Sequence, residues 1–376
     1  MTDCIVRTRN RFASATIALL FVVCPVSADD VAIPFDLPNG FSAEVLVKNV
    51  ENARSLALGD QDTLFVSTRR LGKLYAVTNA FSSAPVVGTI ATDLDMPNGI
   101  AFFDGALYVA ETQRIVRFPD IEKRLDDPGE PEVVVVDLPF KNKMHAWKYI
   151  GFGPDRKLYV SIGAPCNVCE APEFAVMLRM NPDGSGREVF AHGIRNSVGF
   201  DWHPETGELW FTDNGRDMLG DEIPPGELNR AHEPGLDFGF PYCHGIDVDD
   251  PKLGSAGRCD EFEPPVQPLG PHVAPLGMLF YTGDMFPEDY QRQVFIAEHG
   301  SWNRSKSAGK TGYRVTLVRL NGIKPISYEP FMQGFIDDEQ KVLGRPVDLL
   351  TAPDGALLVS DDQRGVVYRI AYSVVN

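Results

Sequence analysis

One unit of three short apolar runs recurs six times along the chain, and this repeat limits its possible folds more than any other feature. The clearest copy is PNGIAFFDGALYVAETQRIVRF (97–118): an apolar run, a tight turn at Asp104-Gly105, an alternating run, a polar loop and a third run. That order is the signature of successive antiparallel strands. It returns from Ala53, from Met144 as MHAWKYIGFGPDRKLYVSIG, from Asn196, from Ala274 and from Arg345. Anchored on the second run, the copies begin at Leu64, Leu107, Leu158, Leu209, Val294 and Leu357, spaced by 43, 51, 51, 85 and 63 residues. These spacings suit propeller blades with insertions. A fourth, outer strand follows most units, as in PEVVVVDL (131–138), whereas SAEVLVKNV (43–51) precedes the first unit and has no blade of its own. The last unit stops after its third strand, VVYRIAY. The chain is therefore expected to be all-β, a six-bladed β-propeller of four-stranded antiparallel blades, with the N-terminal strand closing the ring and removing its free edges. An open sandwich with coincidental repeats is the alternative.

Residues 1–28 read as a signal peptide: Arg7, Arg9 and Arg11, a short apolar run from Ile17 to Val23, and a small-residue cleavage site at Val26-Ser27-Ala28. No later stretch approaches the roughly 18 apolar residues that span a bilayer. A soluble product in a periplasm or outside the cell is expected, as one propeller domain over 29–376. Removing the leader's three Arg and one Asp, a loss of two net positive charges, takes the formal net charge from −17 to −19. Such a charge argues against nucleic acid or an anionic membrane as partner.

Cys166, Cys169, Cys243 and Cys259 follow the leader. In an exported chain, disulfides are the default, and three pairings are open. Proximity favours Cys166 with Cys169 and Cys243 with Cys259. CNVC resembles redox and metal motifs too, but no second CxxC accompanies it.

In a four-stranded blade, the loop entering the inner strand and the loop leaving the second strand share one end of the channel. At the entering positions the sequence supplies Arg54, Asn98, His145 with Trp147 and Lys148, Arg195 with Asn196, His272, and Arg345. The leaving loops supply Arg69 and Arg70, Glu111, 163–170, 213–222, His299 to Arg304, and 361–364. A cationic mouth on an acidic protein points to a multiply charged anion of limited size, because guanidinium forks match carboxylates and phosphates. TDNGRDMLGDEI (212–223) adds four carboxylates, an Asn and two Gly at the same end. Calcium favours such oxygen-rich turns, although the spacing is not that of an EF-hand.

Four segments, MHAWKYIGFGPDRKLYVSIG, GIRNSVGFDWHPETGELWFTDNGRDMLGDEI, EHGSWNR and GRPVDLLTAPDG, together resemble the PQQ-dependent sugar dehydrogenases. The likeness is to the sorbosone dehydrogenase-like branch, with soluble quinoprotein glucose dehydrogenase more distant. It runs through the whole chain after the leader. The resemblance implies pyrroloquinoline quinone (PQQ), a planar tricarboxylate, bound with Ca²⁺ in the mouth. It also implies sugar oxidation with His145 as general base and Arg195 with Asn196 facing the quinone oxygens, where negative charge develops. Gly215 and Arg216 resemble carbonyl donors to the metal, and Arg345 a carboxylate clamp. Lys148, Asn214, His272, His299 and Arg304 fall among the cofactor's expected neighbours. An unperturbed imidazole, with a pKa of about 6.5, suits proton abstraction near neutrality. Two departures stand out. Where the glucose-oxidising relative supports its base with an Asp, Ala164 and Pro165 stand here, leaving Glu170 as a candidate support. The relative's lysine clamp has no obvious counterpart in AEHGSWNRSK. Trp302 is either a sugar-stacking platform or a cover for its blade. The partners expected are a sugar and a separate electron acceptor. A calcium-dependent lactonase, or a propeller that binds a ligand without cofactor, are the competing functions.

Overall fold

The computed structural model describes residues 33–254 and 258–374; the expected signal peptide, residues 1–28, lies outside the described residues. The described chain is a ring of six four-stranded antiparallel sheets. Blade 1 runs Leu56–Leu58, Leu64–Ser67, Leu74–Thr78 and Val86–Ala91, and blades 2, 3 and 5 repeat that simple order. In blade 4 the outer strand, Gln267–Pro271, comes only after a long excursion. In that excursion a small hairpin, Cys243–His244 with Val248–Asp249, is tied by the Cys243–Cys259 disulfide. Blade 6 takes its outer strand from the start of the chain: Phe41–Val47 pairs with Val366–Tyr372, Phe41 opposite Tyr372 and Val45 opposite Tyr368. The Asp104-Gly105 turn has positive φ at both residues, 49° and 77°, as a two-residue hairpin turn requires.

The second strands carry the core. All six are buried along their whole length, because each is covered by a neighbouring blade on both faces. Their period-two alternation divides each strand between two neighbours. Phe65 of blade 1 packs with Leu107 and Val109 of blade 2, while Leu64 and Val66 pack with Leu358 of blade 6. Tyr108 faces Leu158 and Val160; Tyr159 faces Phe211; Trp210 faces Ile296; Phe295 faces Leu357 and Val359. Six inter-blade cores thus close on themselves, each side chain stabilising by about 1.5–3 kcal/mol when fully buried.

A hydroxyl at the fourth residue of four second strands locks this stack at the mouth end: Ser67, Ser161, Thr212 and Ser360. Ser67 and Ser360 donate to the carbonyls of Asn98 and Arg54, and Thr212 to that of Leu276, each in the next blade. Ser67, Ser161 and Ser360 also accept the amides of Ser55, Tyr149 and Asp348 in their own inner segments. These buried bonds fix the height at which each entering loop meets the channel.

Candidate active site

A carboxylate at the end of the second strand presents the polar residues of several entering loops. Asp213 accepts the backbone amides of Arg195 at 2.7 Å and Asn196 at 2.6 Å. Asp361 does the same for Arg345 at 3.0 Å, and Glu111 for Asp95 at 2.7 Å. The side chains of Arg195, Asn196 and Arg345 so anchored project into one cavity of about 350 Å³ at the mouth of the channel. His145, Arg195, Asn196, Asn214, Gly215, His272, His299 and Arg345 all line it, as do Arg54, Arg69, Arg70, Trp147, Asp217 and Trp302.

His145 is held in the left-handed region, φ 47°, against Gly163, where a Cβ would come within 2.7 Å of its own Cβ. The close approach lets Nδ1 donate to the carbonyl of Ala164 at 2.8 Å, which directs Nε2 away as the acceptor. A backbone carbonyl, not a carboxylate, therefore orients this imidazole. Glu170 is exposed and accepts instead from the Tyr242 hydroxyl at 2.8 Å. Burial, followed by the charge of Arg195, pushes the His145 imidazole down to about 3. The ring is neutral throughout the ordinary pH range, rather than poised near 6.5.

Arg195 is almost fully engaged. Its Nε donates to the Asn167 carbonyl, Nη1 to the Asn214 carbonyl, and Nη2 to Asn167 Oδ1 and Asp217 Oδ2, at 3.0–3.2 Å. Asn214 Nδ2 bridges the carbonyls of Asn196 and Pro275, both at 3.0 Å. Gly215 lies where a Cβ would meet the Pro225 carbonyl at 2.7 Å. Arg216 points elsewhere: its guanidinium pairs with buried Asp250, which also receives His244. Among the described residues, no three His, Cys, Asp or Glu side chains are grouped to hold a metal ion.

Blades 1 and 6 contribute guanidinium groups with few partners. Arg54, 1% exposed, donates to Asn98 and pairs with Asp362 at 3.1 Å. Asp362 also accepts from His299 Nε2 at 3.0 Å, and these two partners outweigh its burial and hold its carboxyl well below the usual range. Burial drives His299 down to about 4 against that pull. Arg345 donates to the carbonyls of His299 and Gly300, its guanidinium 5.4 Å from the centre of the Tyr313 ring. Asn52 Oδ1 accepts the amides of both Arg69 and Arg70 at 3.1 Å, fixing the turn that presents them. The Arg69 guanidinium lies 4.6 Å from the centre of the Trp147 ring, which in turn stands edge-on to His145 at 6.0 Å. Arg69 Nε is buried with no hydrogen-bond partner among the described residues.

Two expected neighbours of the cofactor stand outside the cavity. Lys148 is buried, its Nζ directed to the Pro139 carbonyl at 3.4 Å, and burial lowers it to about 8. Arg304 ties its own loop to the 213–222 loop, donating to the carbonyls of Gly309, Ala308 and Asp221 and pairing with Glu222. Both follow a lining segment in sequence, which is why position alone placed them at the mouth. Trp302, by contrast, is 69% exposed on the rim and covers no blade. The Cys166–Cys169 and Cys243–Cys259 pairs are both bonded.

A six-bladed propeller with an oriented imidazole and a guanidinium-lined mouth defines a class of scaffold, and comparison with known proteins gives the family. The family model for glucose/sorbosone dehydrogenases matches residues 109–301, spanning blades 2 to 5. An uncharacterized protein of Borreliella burgdorferi is 33% identical, over 98% of this chain and 100% of its own length. The chain belongs to the glucose/sorbosone dehydrogenase family. Among solved structures, the holo pyranose dehydrogenase PQQ domain of Coprinopsis cinerea superposes with a TM-score of 0.76 at 19% identity, covering 90% of this chain and 97% of that one. A calcium structure of a Trichoderma reesei family AA12 carbohydrate-active enzyme gives 0.77 at 19% identity, with 91% and 98% covered. The PQQ-bound aldose sugar dehydrogenase of Streptomyces coelicolor gives 0.63 at 20% identity, with 90% and 100% covered. At these identities the likeness is one of fold.

Proposed function

We propose that this chain is an exported quinoprotein that oxidises a sugar, an aldose or a ketoaldose, with PQQ and Ca²⁺ held in the mouth. The carrying observation is that one cavity joins a neutral, tautomer-fixed imidazole to a stacked Arg69 whose buried Nε has no partner. A charged donor left unsatisfied in a buried position costs free energy, and an anionic oxygen removes that cost. A planar tricarboxylate fits this donor set: Arg54, Arg69, Arg70 and Arg345 offer forks, and Trp147 offers a wall. The carbonyls of Gly215 and Arg216 offer hard oxygen to calcium, and with no carboxylate cluster in the described residues the metal's shell would be completed by the cofactor.

When bound, PQQ supplies a two-electron acceptor and Ca²⁺ a Lewis acid beside it. The protein's part is proton transfer and electrostatics. His145 Nε2 takes the proton of the sugar hydroxyl, and the Ala164 carbonyl keeps the ring's orientation as it becomes imidazolium. Arg195 and Asn196, rigidly anchored through Asp213, face the charge that develops during oxidation and need no rearrangement. Trp302 on the rim offers an aromatic face to the sugar. Turnover would need a separate electron acceptor to reoxidise the cofactor. A calcium-dependent lactonase needs carboxylates converging on its metal, whereas Asp217, the one carboxylate lining the cavity, is tied to Arg195 and Asn303.

The test is a titration of the protein lacking residues 1–28 with PQQ, with and without Ca²⁺, followed by dye reduction across a panel of sugars. Calcium-dependent saturation and sugar-dependent dye reduction are expected. Absence of saturable PQQ binding contradicts the reading.

A further inference from the structure

The CNVC loop connects the two halves of the catalytic group, and its central contact is Asn167. Asn167 is half-buried and does not line the cavity. Its Oδ1 accepts from Arg195 Nη2 at 3.0 Å and from the Asp217 amide at 2.8 Å. Its Nδ2 donates to the Asp217 carbonyl at 2.9 Å, and its own carbonyl accepts Arg195 Nε at 3.0 Å. The carboxamide supplies an acceptor and a donor on separate atoms, and both are used here. The same loop begins with Ala164, whose carbonyl orients His145 and whose amide donates to the Arg195 carbonyl at 2.7 Å. Asn142 Nδ2 holds the next carbonyl, Pro165, at 2.8 Å. Cys166 and Cys169 then close the loop on either side of Asn167, with Cα atoms 6.1 Å apart. Asp217, held by Asn167 at both its amide and its carbonyl, reaches across the mouth to Asn303 Nδ2 at 2.7 Å.

We infer that Asn167, clamped between Cys166 and Cys169, is a positioning residue that locks Arg195 and the 214–217 loop to the loop orienting His145. It rests on the roles given above to His145 and Arg195. The physical requirement is that two groups acting on one reacting centre keep a fixed separation. A displacement near 1 Å between them costs roughly 100-fold in rate. Without the Asn167 side chain, Arg195 keeps its charge, its anchor on Asp213 and the Asn167 backbone carbonyl, but its Nη2 and the Asp217 amide both lose their Oδ1 acceptor. Asn167 itself lies outside the cavity, so sugar binding is expected to change less than turnover.

The test compares Asn167→Ala, Asn167→Asp and the double variant Cys166→Ser/Cys169→Ser, which leaves Cys243–Cys259 intact. In Asn167→Ala, kcat is expected to fall roughly 10- to 100-fold while KM for the sugar changes less than about threefold. Asn167→Asp keeps the Oδ1 acceptor for both Arg195 and the Asp217 amide and recovers most of that loss. The double variant reproduces the Ala phenotype while melting as a folded protein. Amide exchange at Asp217 accelerates at least roughly tenfold in Asn167→Ala, because its acceptor is gone. Wild-type kcat in Asn167→Ala with an unchanged Asp217 amide overturns the inference. So does a loss that follows Tm and that Asn167→Asp does not recover. Should the Ala variant fail to fold, wild-type kcat in the folded double variant overturns it equally. If the wild-type protein oxidises no sugar, the functional reading has failed, and amide exchange at Asp217 alone decides whether the clamp exists.

Discussion

The two sides of the mouth are built on opposite principles. On the side of blades 3 and 4, the charged and amide side chains are mostly met by protein partners, His145 Nδ1 on Ala164, Arg195 on Asn167, Asn214 and Asp217, Asn214 on Asn196 and Pro275, with Trp147 Nε1 the exception, buried without a partner among the described residues. On the side of blades 1 and 6, Arg69 Nε is buried with no hydrogen-bond partner among the described residues, Arg345 meets the carbonyls of His299 and Gly300 and the Tyr313 ring, and Arg54 pairs with Asp362. A satisfied network is rigid and suited to orienting chemistry, whereas unmet donors are suited to taking up an anion. The mouth is thus divided between a side that is finished without ligand and a side that an anionic ligand completes.

The largest expected effect breaks the finished side. His145→Gln keeps a donor for the Ala164 carbonyl but removes the base, and kcat should fall roughly 10²- to 10⁴-fold, measured by dye reduction at saturating PQQ. Before any ligand binds, NMR should find the His145 ring neutral down to near pH 4, and an anion bound opposite Arg195 should move its titration upward. The same depression links to stability: the unfolded imidazole takes up a proton below about 6.5 while the folded one does not. The stability contributed by neutral His145 and His299 is therefore complete above that pH and is lost progressively as pH falls towards 3–4, as denaturant midpoints across this window will show.

The next effect breaks the open side from within. Asp362→Asn leaves the guanidinium of Arg54 buried without its counter-charge, a change that costs about 3–5 kcal/mol of stability in comparable buried pairs. Urea unfolding measures it. Bound PQQ should return part of the loss, since its carboxylates replace the missing charge.

The ring was legible in the sequence because second strands buried on both faces must be apolar throughout while their neighbours need not be. The second strands begin within one residue of the repeat's anchors, and the orphan strand closes blade 6. The mouth was legible for a related reason: loops entering inner strands share an end of the channel whatever their sequence, so Arg54, His145, Arg195 and Arg345 converge. What the pattern hid was direction. Lys148 and Arg304 follow lining residues but turn into the protein, and no periodicity reports which way a loop side chain turns. The support of His145 was hidden for a different reason, since a backbone carbonyl leaves no residue type to find. The Ser/Thr at the fourth place of LFVS, LYVS, LWFT and LLVS was a visible signal for the hydroxyl locks.

The division of the mouth is tested most directly by equilibrium PQQ binding, in the presence of Ca²⁺, to wild type, Arg69→Ala and His145→Gln. Loss of one charged hydrogen-bonding partner should weaken binding roughly 10- to 100-fold in Arg69→Ala, with a shallower salt dependence, and leave His145→Gln within about threefold of wild type. Equal affinity in wild type and Arg69→Ala, or weakened binding in His145→Gln alone, contradicts the account.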